Sequence, residues 1–177
     1  MTLAGGMAMF RSILAVAACL AAVPAAGRTF AYDCDTMSNR FSEISTPLAG
    51  GRQISGVVTA TRTVTGERYE TTSRVAIEGD EAKSWVGFRL TIAGPADSDT
   101  LIATMVVSQD GKEEEIALGP VKLMQPVPFR LSLGRDGSAS LELADWKHKT
   151  ATGLKSPATL SVGCSTGEFK FASLDFG

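Results

Sequence analysis

The stretch Gly163-x-Ser165-x-Gly167 has the spacing of a catalytic serine motif, in which the serine lies on a strained turn between a strand and a helix. The residues that follow, Glu168 to Phe176, alternate as a strand does. The single histidine of the chain, His148, precedes the serine, whereas this motif places the histidine after it. We therefore do not expect a catalytic triad, and the glycines are interpreted as turn residues.

The same stretch contains Cys164, which predicts a disulfide bond. Of the three cysteines, Cys19 lies in the apolar N-terminal segment, which leaves Cys34 as the partner of Cys164. A cysteine pair in an oxidising compartment is expected to be bonded. The bond would join the first strand to the penultimate one and would stabilise the fold by roughly 5 kcal/mol, because it closes a loop of about 130 residues. A free reactive thiol is the alternative.

Clustered carboxylates suggest two further kinds of chemistry. On a strand, Glu113 and Glu115 share a face with Cα atoms about 7 Å apart, and side-chain bending could bring them near the separation used in glycoside hydrolysis. The alternative, which we favour, is a solvated edge strand whose like charges keep sheets from joining. Asp97 and Asp99 could offer oxygen ligands to calcium, but a polar loop tip is the simpler interpretation. We predict no metal site and no cofactor.

Two tryptophans lie out of phase with the apolar positions around them. The alternation of Val86–Ile92 places Trp85 on the opposite side of its strand, and Trp146 is predicted on the side of Glu142 at the start of a basic loop. Exposed indoles beside charged groups can stack on sugar rings or anchor a protein partner. The alternative is that each tryptophan covers the core at a strand end. The predicted ligand-binding residues are Trp85, Arg89, Thr91, Trp146 and Lys147.

The N-terminal region predicts export. Arg11 is followed by an uncharged run, Ser12–Gly27, that is rich in alanine and leucine and ends in small residues. Its apolar core is shorter than the roughly 18 residues of a membrane-spanning helix. We predict a signal peptide over residues 1–27 and a single domain over 28–177, located in the periplasm or outside the cell. In the alternative, Val16–Cys19 is a lipobox and Cys19 is lipidated.

The composition of the remaining chain excludes a nucleic-acid partner. Without Arg11, 16 basic residues face 19 acidic ones, so the net charge is weakly negative. No long block of like charges and no internal repeat interrupts the chain. The oligomeric state is left open.

The hydrophobic period is two nearly everywhere from Thr29 onward, which predicts an all-β chain with one helical turn at Ser38–Ile44. Glycine, aspartate, serine and threonine clusters divide it into short strands. The predicted strands are Thr29–Cys34, Ile54–Val64, Ser73–Glu78, Ser84–Ala93, Leu101–Ser108, Glu113–Leu118, Val127–Leu133, Ser138–Leu143, Thr159–Cys164 and Glu168–Phe176.

The last strand has a break in its alternation. Phe169 and Phe171 share one face, and Leu174 joins them only if one residue bulges near Ala172 or Ser173. We predict such a bulge, since a slip of one residue exchanges the faces of everything after it.

The segment Pro128–Asp145 reads as a hairpin that turns at Asp136-Gly137, and Asp110-Gly111 repeats the pattern. This hairpin resembles that of laminin-G-like and concanavalin-A-like jelly rolls, which also close with a strand after a late cysteine, as Gly163–Phe176 does. The resemblance implies an antiparallel two-sheet β-sandwich, a jelly roll, with a curved face that many relatives use to hold glycans.

These features predict an exported, non-catalytic module that binds a glycan through the face bearing Trp85 and Arg89. The second hypothesis is an envelope interaction or assembly subunit, which would use edge strands or the Trp146 loop. The third is a polysaccharide hydrolase, whose candidate carboxylates would be Glu113, Glu115 and Glu142.

Overall fold

The computed structural model describes residues 29–48, 52–64, 66–79, 83–95, 98–154 and 157–177, and these form ten strands and no helix. The predicted signal peptide and Cys19 lie outside the described residues. A search of the described part finds no helix suited to crossing a membrane. The strands are β1 (Phe30–Pro47), β2 (Gln53–Thr63), β3 (Thr72–Gly79), β4 (Trp85–Ile92), β5 (Thr100–Gln109), β6 (Lys112–Lys122), β7 (Val127–Leu133), β8 (Ser138–Leu143), β9 (Trp146–Ala151) and β10 (Pro157–Asp175).

Strands β1 and β10 each belong to two sheets. The first part of β10, Pro157–Ser165, pairs with β3, and the second part, Gly167–Asp175, pairs with β2, while β1 follows β10 along both parts. The front sheet therefore has the order β6-β5-β4-β3-β10-β1, and the back sheet has the order β1-β10-β2-β7-β8-β9. Every pairing is antiparallel, so the predicted all-β jelly-roll sandwich is confirmed.

Apolar side chains from both sheets fill the space between them. Strand β7 shows the pattern most clearly, because its inward residues are buried and its outward residues are not. Each large apolar side chain that is fully buried contributes about 1.5 to 3 kcal/mol. The largest such side chains are Phe88, Phe169, Phe171, Ile54, Ile77, Leu90, Leu101, Met105, Leu131, Leu141, Leu143 and Leu160.

The predicted disulfide between Cys34 and Cys164 is confirmed. The two Cα atoms lie 6.1 Å apart, the residues are 130 positions apart in the chain, and both side chains are buried. The bond joins β1 to β10 close to the point where β10 passes from one sheet to the other, at Thr166 and Gly167, both of which have positive φ. It therefore fixes the crossing on which both sheets depend.

The predicted bulge near Ala172 or Ser173 and the two predicted Asp-Gly turns are also confirmed. Ser173 has a φ of 52°, and the register shifts between Ala172 and Asp175, so that Leu174 is buried in the core. Gly111 and Gly137 adopt φ values of 79° and 78° at the two hairpin turns.

Three predictions of local structure are wrong. The predicted strands Thr159–Cys164 and Glu168–Phe176 belong to one strand, β10, so the disulfide joins β1 to the last strand and not to the penultimate one. The predicted helical turn at Ser38–Ile44 is part of β1, because Phe41–Pro47 pairs with β10, and this pairing overrides weak local preference. The predicted basic loop Lys147–Lys149 belongs to β9, which pairs with β8.

Candidate ligand-binding groove

The outer face of the front sheet carries a cavity of about 390 Å³, here called the groove. Its floor comes from strands of that sheet, and one wall comes from the segment 66–71 between β2 and β3. The lining side chains carry five hydroxyls, two guanidiniums and two carboxylates. They are Arg68, Tyr69, Glu70, Thr72, Arg89, Thr91, Thr104, Glu115 and Ser165.

Strand pairing aligns the floor residues across the sheet. Thr72 lies opposite Thr91, and their hydroxyls are 2.9 Å apart; Arg89 lies opposite Thr104. Residues directly opposite each other in an antiparallel pair share a face. The strands therefore place hydroxyls and a guanidinium side by side.

Asn39 holds the wall of the groove in position. Its Oδ1 accepts hydrogen bonds from the backbone N–H of Arg68, at 2.7 Å, and of Tyr69, at 3.4 Å. Its own N–H donates to Thr166 Oγ1 at 3.1 Å. Asn39 has a φ of 60°, in the left-handed region that asparagine tolerates better than most residues. Tyr69 is thus held at the rim, with 51 % of its surface exposed.

Ser165 contributes to the same wall, and its surroundings differ from those of a catalytic serine. Its hydroxyl donates to the carbonyl of Glu70 at 3.0 Å, and the side chain is buried. The chain continues after it as β10, whereas the catalytic serine motif needs a helix there. The prediction that Gly163 and Gly167 are turn residues is wrong, because both lie within β10. At Gly163 the reason for glycine is close packing, since an added Cβ would lie 2.7 Å from the carbonyl oxygen of Ser42.

Trp85 shares the outer face with Arg89 and Thr91, as predicted, but it is not exposed. The Cζ atoms of Arg74 and Arg89 lie 4.2 and 5.0 Å from the ring centroid, and only 7 % of the residue is accessible. The expectation of an exposed indole is wrong because two guanidiniums from neighbouring positions of β3 and β4 cover the ring.

Arg74 and Arg89 each form ion pairs with two carboxylates. Arg74 contacts Glu43 at 3.8 Å and Glu78 at 2.7 Å. Burial raises the pKa of the Glu43 carboxyl, and the nearby Glu78 raises it further, whereas Arg74 opposes both effects. Arg89 contacts two carboxylates of β6 in the same way. The ion-pair ladder, as we call this set, comprises Glu43, Arg74, Glu78, Arg89, Glu113 and Glu115.

The carboxylate pair of β6 lies where the sequence predicted. Glu113 and Glu115 share the outer face, and β6 is the terminal strand of the front sheet. Arg89 contacts Glu113 at 2.7 Å and Glu115 at 3.4 Å. The pair is therefore bonded within the chain, and Glu115 belongs to the groove as well.

The prediction that Trp146 lies on the side of Glu142 is wrong, because a tight turn reverses the chain before it. Trp146 lies directly opposite Leu143 and packs against the core. An added Cβ at Gly119 would lie 2.7 Å from its Cζ2 atom, so the indole lies across β6. This is the alternative interpretation, in which the ring covers the core at the sandwich edge.

Lys147 points away from Trp146. Its Nζ contacts Glu142 Oε1 at 3.1 Å on the outer face of the back sheet. The predicted ligand-binding residues are consequently divided between the two sheets, and they do not form one site.

The alternative of a calcium site at Asp97 and Asp99 is only partly within the described residues, because Asp97 lies outside them. Asp99 Oδ1 contacts Lys122 Nζ at 3.0 Å and accepts a hydrogen bond from the Thr100 hydroxyl. These hydrogen bonds, that of Thr100 first, lower the pKa of the Asp99 carboxyl. No group of three or more His, Cys, Asp or Glu residues with metal-binding geometry occurs in the part that the structure describes.

Sequence reasoning missed the segment 66–71 and its anchor, Asn39. A signal was present, because Tyr69 lies between charged residues in a short polar segment, where burial of an aromatic ring is not expected. The contribution of Asn39 depends on contacts between distant parts of the chain, which spacing does not reveal.

The fold of the chain is similar to that of several solved structures. Carbohydrate-binding module CBM66 from Bacillus subtilis has a TM-score of 0.55 at 11 % identity, covering 80 % of this chain and 83 % of that one. An alginate lyase from Pseudomonas aeruginosa gives 0.54 at 12 %, covering 72 % and 65 %. Galectin LEC-6 from Caenorhabditis elegans gives 0.50 at 10 %, covering 81 % and 94 %.

These similarities show the jelly-roll fold that the hairpin resemblance implied. The chain spans less than two thirds of the length of the lyase. No protein-family model matches the sequence, and no curated protein is similar to it.

Proposed function

We propose that this chain is an exported, non-catalytic protein that binds a glycan in the groove. The observation that carries the proposal is a cavity lined by hydroxyl, guanidinium and carboxylate groups, with the exposed ring of Tyr69 at its rim. A sugar presents hydroxyls at its edge and an apolar C–H face, so it requires polar partners together with an aromatic surface.

Each part of the groove has a role in this proposal. Tyr69 stacks on a sugar ring, while Thr91 and Thr104 donate to and accept from its hydroxyls. Arg89 supplies fixed N–H donors because the ion-pair ladder holds its guanidinium in one orientation. The site thus needs little ordering when the ligand arrives, which favours affinity.

The solved structures of similar fold support the proposal in part. Two of them are named as a carbohydrate-binding module and a galectin, and a third is named as an alginate lyase. Glycan binding is compatible with all three names, whereas catalysis is compatible with only one.

The Cys34–Cys164 bond supports a location outside the cytoplasm, since disulfides persist in oxidising compartments. We propose that residues 1–27 are removed on export and that the protein acts in the periplasm or outside the cell. The intact mass of the exported protein tests this: a mass matching the chain from Arg28 with one disulfide is expected. A mass beginning at Cys19 with added lipid would contradict it.

Substitution of Tyr69 tests the binding site directly. On an array of polysaccharides, we expect binding that weakens at least about tenfold in Tyr69→Ala, because the stacking surface is lost. Phe30→Ala is the matched control, since Phe30 is also an exposed aromatic but contacts Phe176 instead of the groove. Equal losses in the two variants, or no polysaccharide binding at all, would refute the proposal.

A second candidate is an envelope interaction subunit, favoured by the apolar residues of β1. Met37 is 79 % exposed and Phe41 is 56 % exposed, and exposed apolar side chains can contact another protein. Cross-linking in the envelope, with the reagent placed at Met37→Cys, tests this candidate. Recovery of one defined partner, together with silence toward all polysaccharides, would favour it over the groove proposal.

The proposal of a non-catalytic protein is supported by the placement of the carboxylates. Glu142 lies on the back sheet beside Lys147, away from Glu113 and Glu115, which contact Arg89 on the front sheet. Incubation with polysaccharides, assayed for new reducing ends and for unsaturated sugar ends, is expected to show neither. Turnover of either kind would identify an enzyme instead.

A further inference from the structure

The charges around the groove indicate which glycans it accepts. The groove lining alone is balanced, with the carboxylates of Glu70 and Glu115 against the guanidiniums of Arg68 and Arg89. Glu113, which also contacts Arg89, adds a third carboxylate beside the groove, so the groove together with this partner is net negative at neutral pH.

One of the two guanidiniums of the groove is already paired. Arg89 contacts both Glu113 and Glu115. A ligand carboxylate would have to displace a carboxylate of the chain before it could form the paired N–H···O contacts that arginine offers. Displacement would leave that glutamate beside the incoming charge.

The other guanidinium does not compensate for this. The Arg68 side chain has no ion pair in the described part of the chain, but it is exposed at the rim, and Glu67 and Glu70 flank it in sequence. The wall segment therefore carries two carboxylates against one guanidinium.

We propose that the groove, if it binds glycans as argued above, selects uncharged glycans and rejects chains of uronic acid. The residues that set this selectivity are Glu70 and Glu115, which line the groove and approach the ligand from its wall and from its floor. A neutral sugar retains every hydroxyl contact there and adds no charge, whereas each uronate adds a carboxylate to a surface that already holds an excess of them.

Matched polysaccharide pairs test the selectivity. The probes are polygalacturonate with its methyl-esterified form, and a soluble β-glucan with the same glucan oxidised to carboxylate at its primary alcohols. All four are placed on an array with uncharged and uronate-containing glycans, and the full-length exported protein is titrated at low and at physiological salt. We expect positive signals confined to uncharged glycans, and at least about tenfold weaker binding for the charged member of any pair that binds.

A double variant distinguishes charge from shape. Glu70→Gln with Glu115→Gln keeps the size of both side chains, so the discrimination should fall to about threefold or less if charge causes it. Glu142→Gln is the matched control, because it removes a carboxylate from the back sheet; its discrimination should equal that of the unchanged protein.

Three results would overturn the inference. The first is that a uronate chain binds as tightly as its uncharged partner. The second is that the double variant discriminates between charged and uncharged glycans as strongly as the unchanged protein does. If the protein bound none of the glycans, glycan binding itself would be refuted, and the inference with it. The first two results leave glycan binding intact, so the two failures are distinguishable.

Discussion

The two ends of the front sheet's outer face differ in how their polar side chains are satisfied. At one end, the ion-pair ladder covers Trp85 with two guanidiniums, and each guanidinium contacts carboxylates of the chain. At the other end, the groove leaves the Tyr69 ring and several hydroxyls open to solvent. Both ends use the same strands, and Arg89 belongs to both.

This difference between the two ends indicates where a binding surface lies on the sheet. An aromatic ring sealed by its own neighbours adds to stability, whereas a ring held at a rim by its backbone is available to a ligand. The sequence alone does not distinguish the two rings, since it does not show that Arg74 and Arg89 cover Trp85. We therefore infer that Trp85 is structural and that Tyr69 belongs to the site.

Removal of the disulfide should have the largest effect, and it should divide the two ends. In Cys34→Ser/Cys164→Ser, we expect a loss of roughly 5 kcal/mol in the free energy of unfolding, because the unfolded chain is no longer cross-linked over a long loop. Urea unfolding measures this loss.

Hydrogen exchange on the same variant sharpens the comparison. The amides of Arg68 and Tyr69 bond to Asn39, which is anchored at Thr166 beside the disulfide. They should exchange faster, while amides of β4 near Trp85 keep more of their protection. Uniform loss of protection along both segments would contradict the division.

Substitution of the two aromatic rings comes next in size. Trp85→Ala should cost about 3 kcal/mol in the free energy of unfolding, because it leaves a cavity beneath Arg74 and Arg89. Tyr69→Ala should change that free energy by less than about 0.5 kcal/mol, since the ring is exposed. Equal destabilisation, measured by urea unfolding, would remove the distinction between the two ends.

The fold was more predictable from sequence than the site, and the two tryptophans show why. Period-two alternation places Trp85 on the outer face correctly, because the pleat fixes which side a residue takes. It does not reveal that Arg74, from another strand, lies over the ring. For Trp146, the turn before it changes the phase, and alternation then predicts the wrong side.

Tyr69 and Asn39 illustrate the remaining gap. The wall of the groove depends on a hydrogen bond between residues about 30 positions apart, in segments with no regular period. The disulfide was predictable because only two cysteines lie outside the predicted signal peptide, so their pairing needed no geometry.

The hydrogen bonds of Asn39 can be separated from its backbone conformation. Asn39→Gly keeps the φ of 60° without strain but removes the acceptor for Arg68 and Tyr69. We expect a loss of about 1 kcal/mol in stability and several-fold weaker glycan binding, because the ring of Tyr69 is no longer held. Asn39→Asp retains the acceptor and should keep binding within about twofold. Comparable binding losses in both variants would argue against a positioning role.

The smallest effect concerns Glu43, at the closed end of the comparison. Burial and the neighbouring Glu78 raise the pKa of its carboxyl above the ordinary 4.5, so the folded protein holds this proton more tightly than the unfolded chain does. The ionised form therefore costs stability above the raised pKa, and the cost disappears below about 4.5. Glu43→Gln should be more stable than the unchanged protein by a few tenths of a kcal/mol at neutral pH, with the difference vanishing in acid. Thermal unfolding at both pH values measures it; a variant less stable at neutral pH would mean that the contact with Arg74 outweighs burial and repulsion.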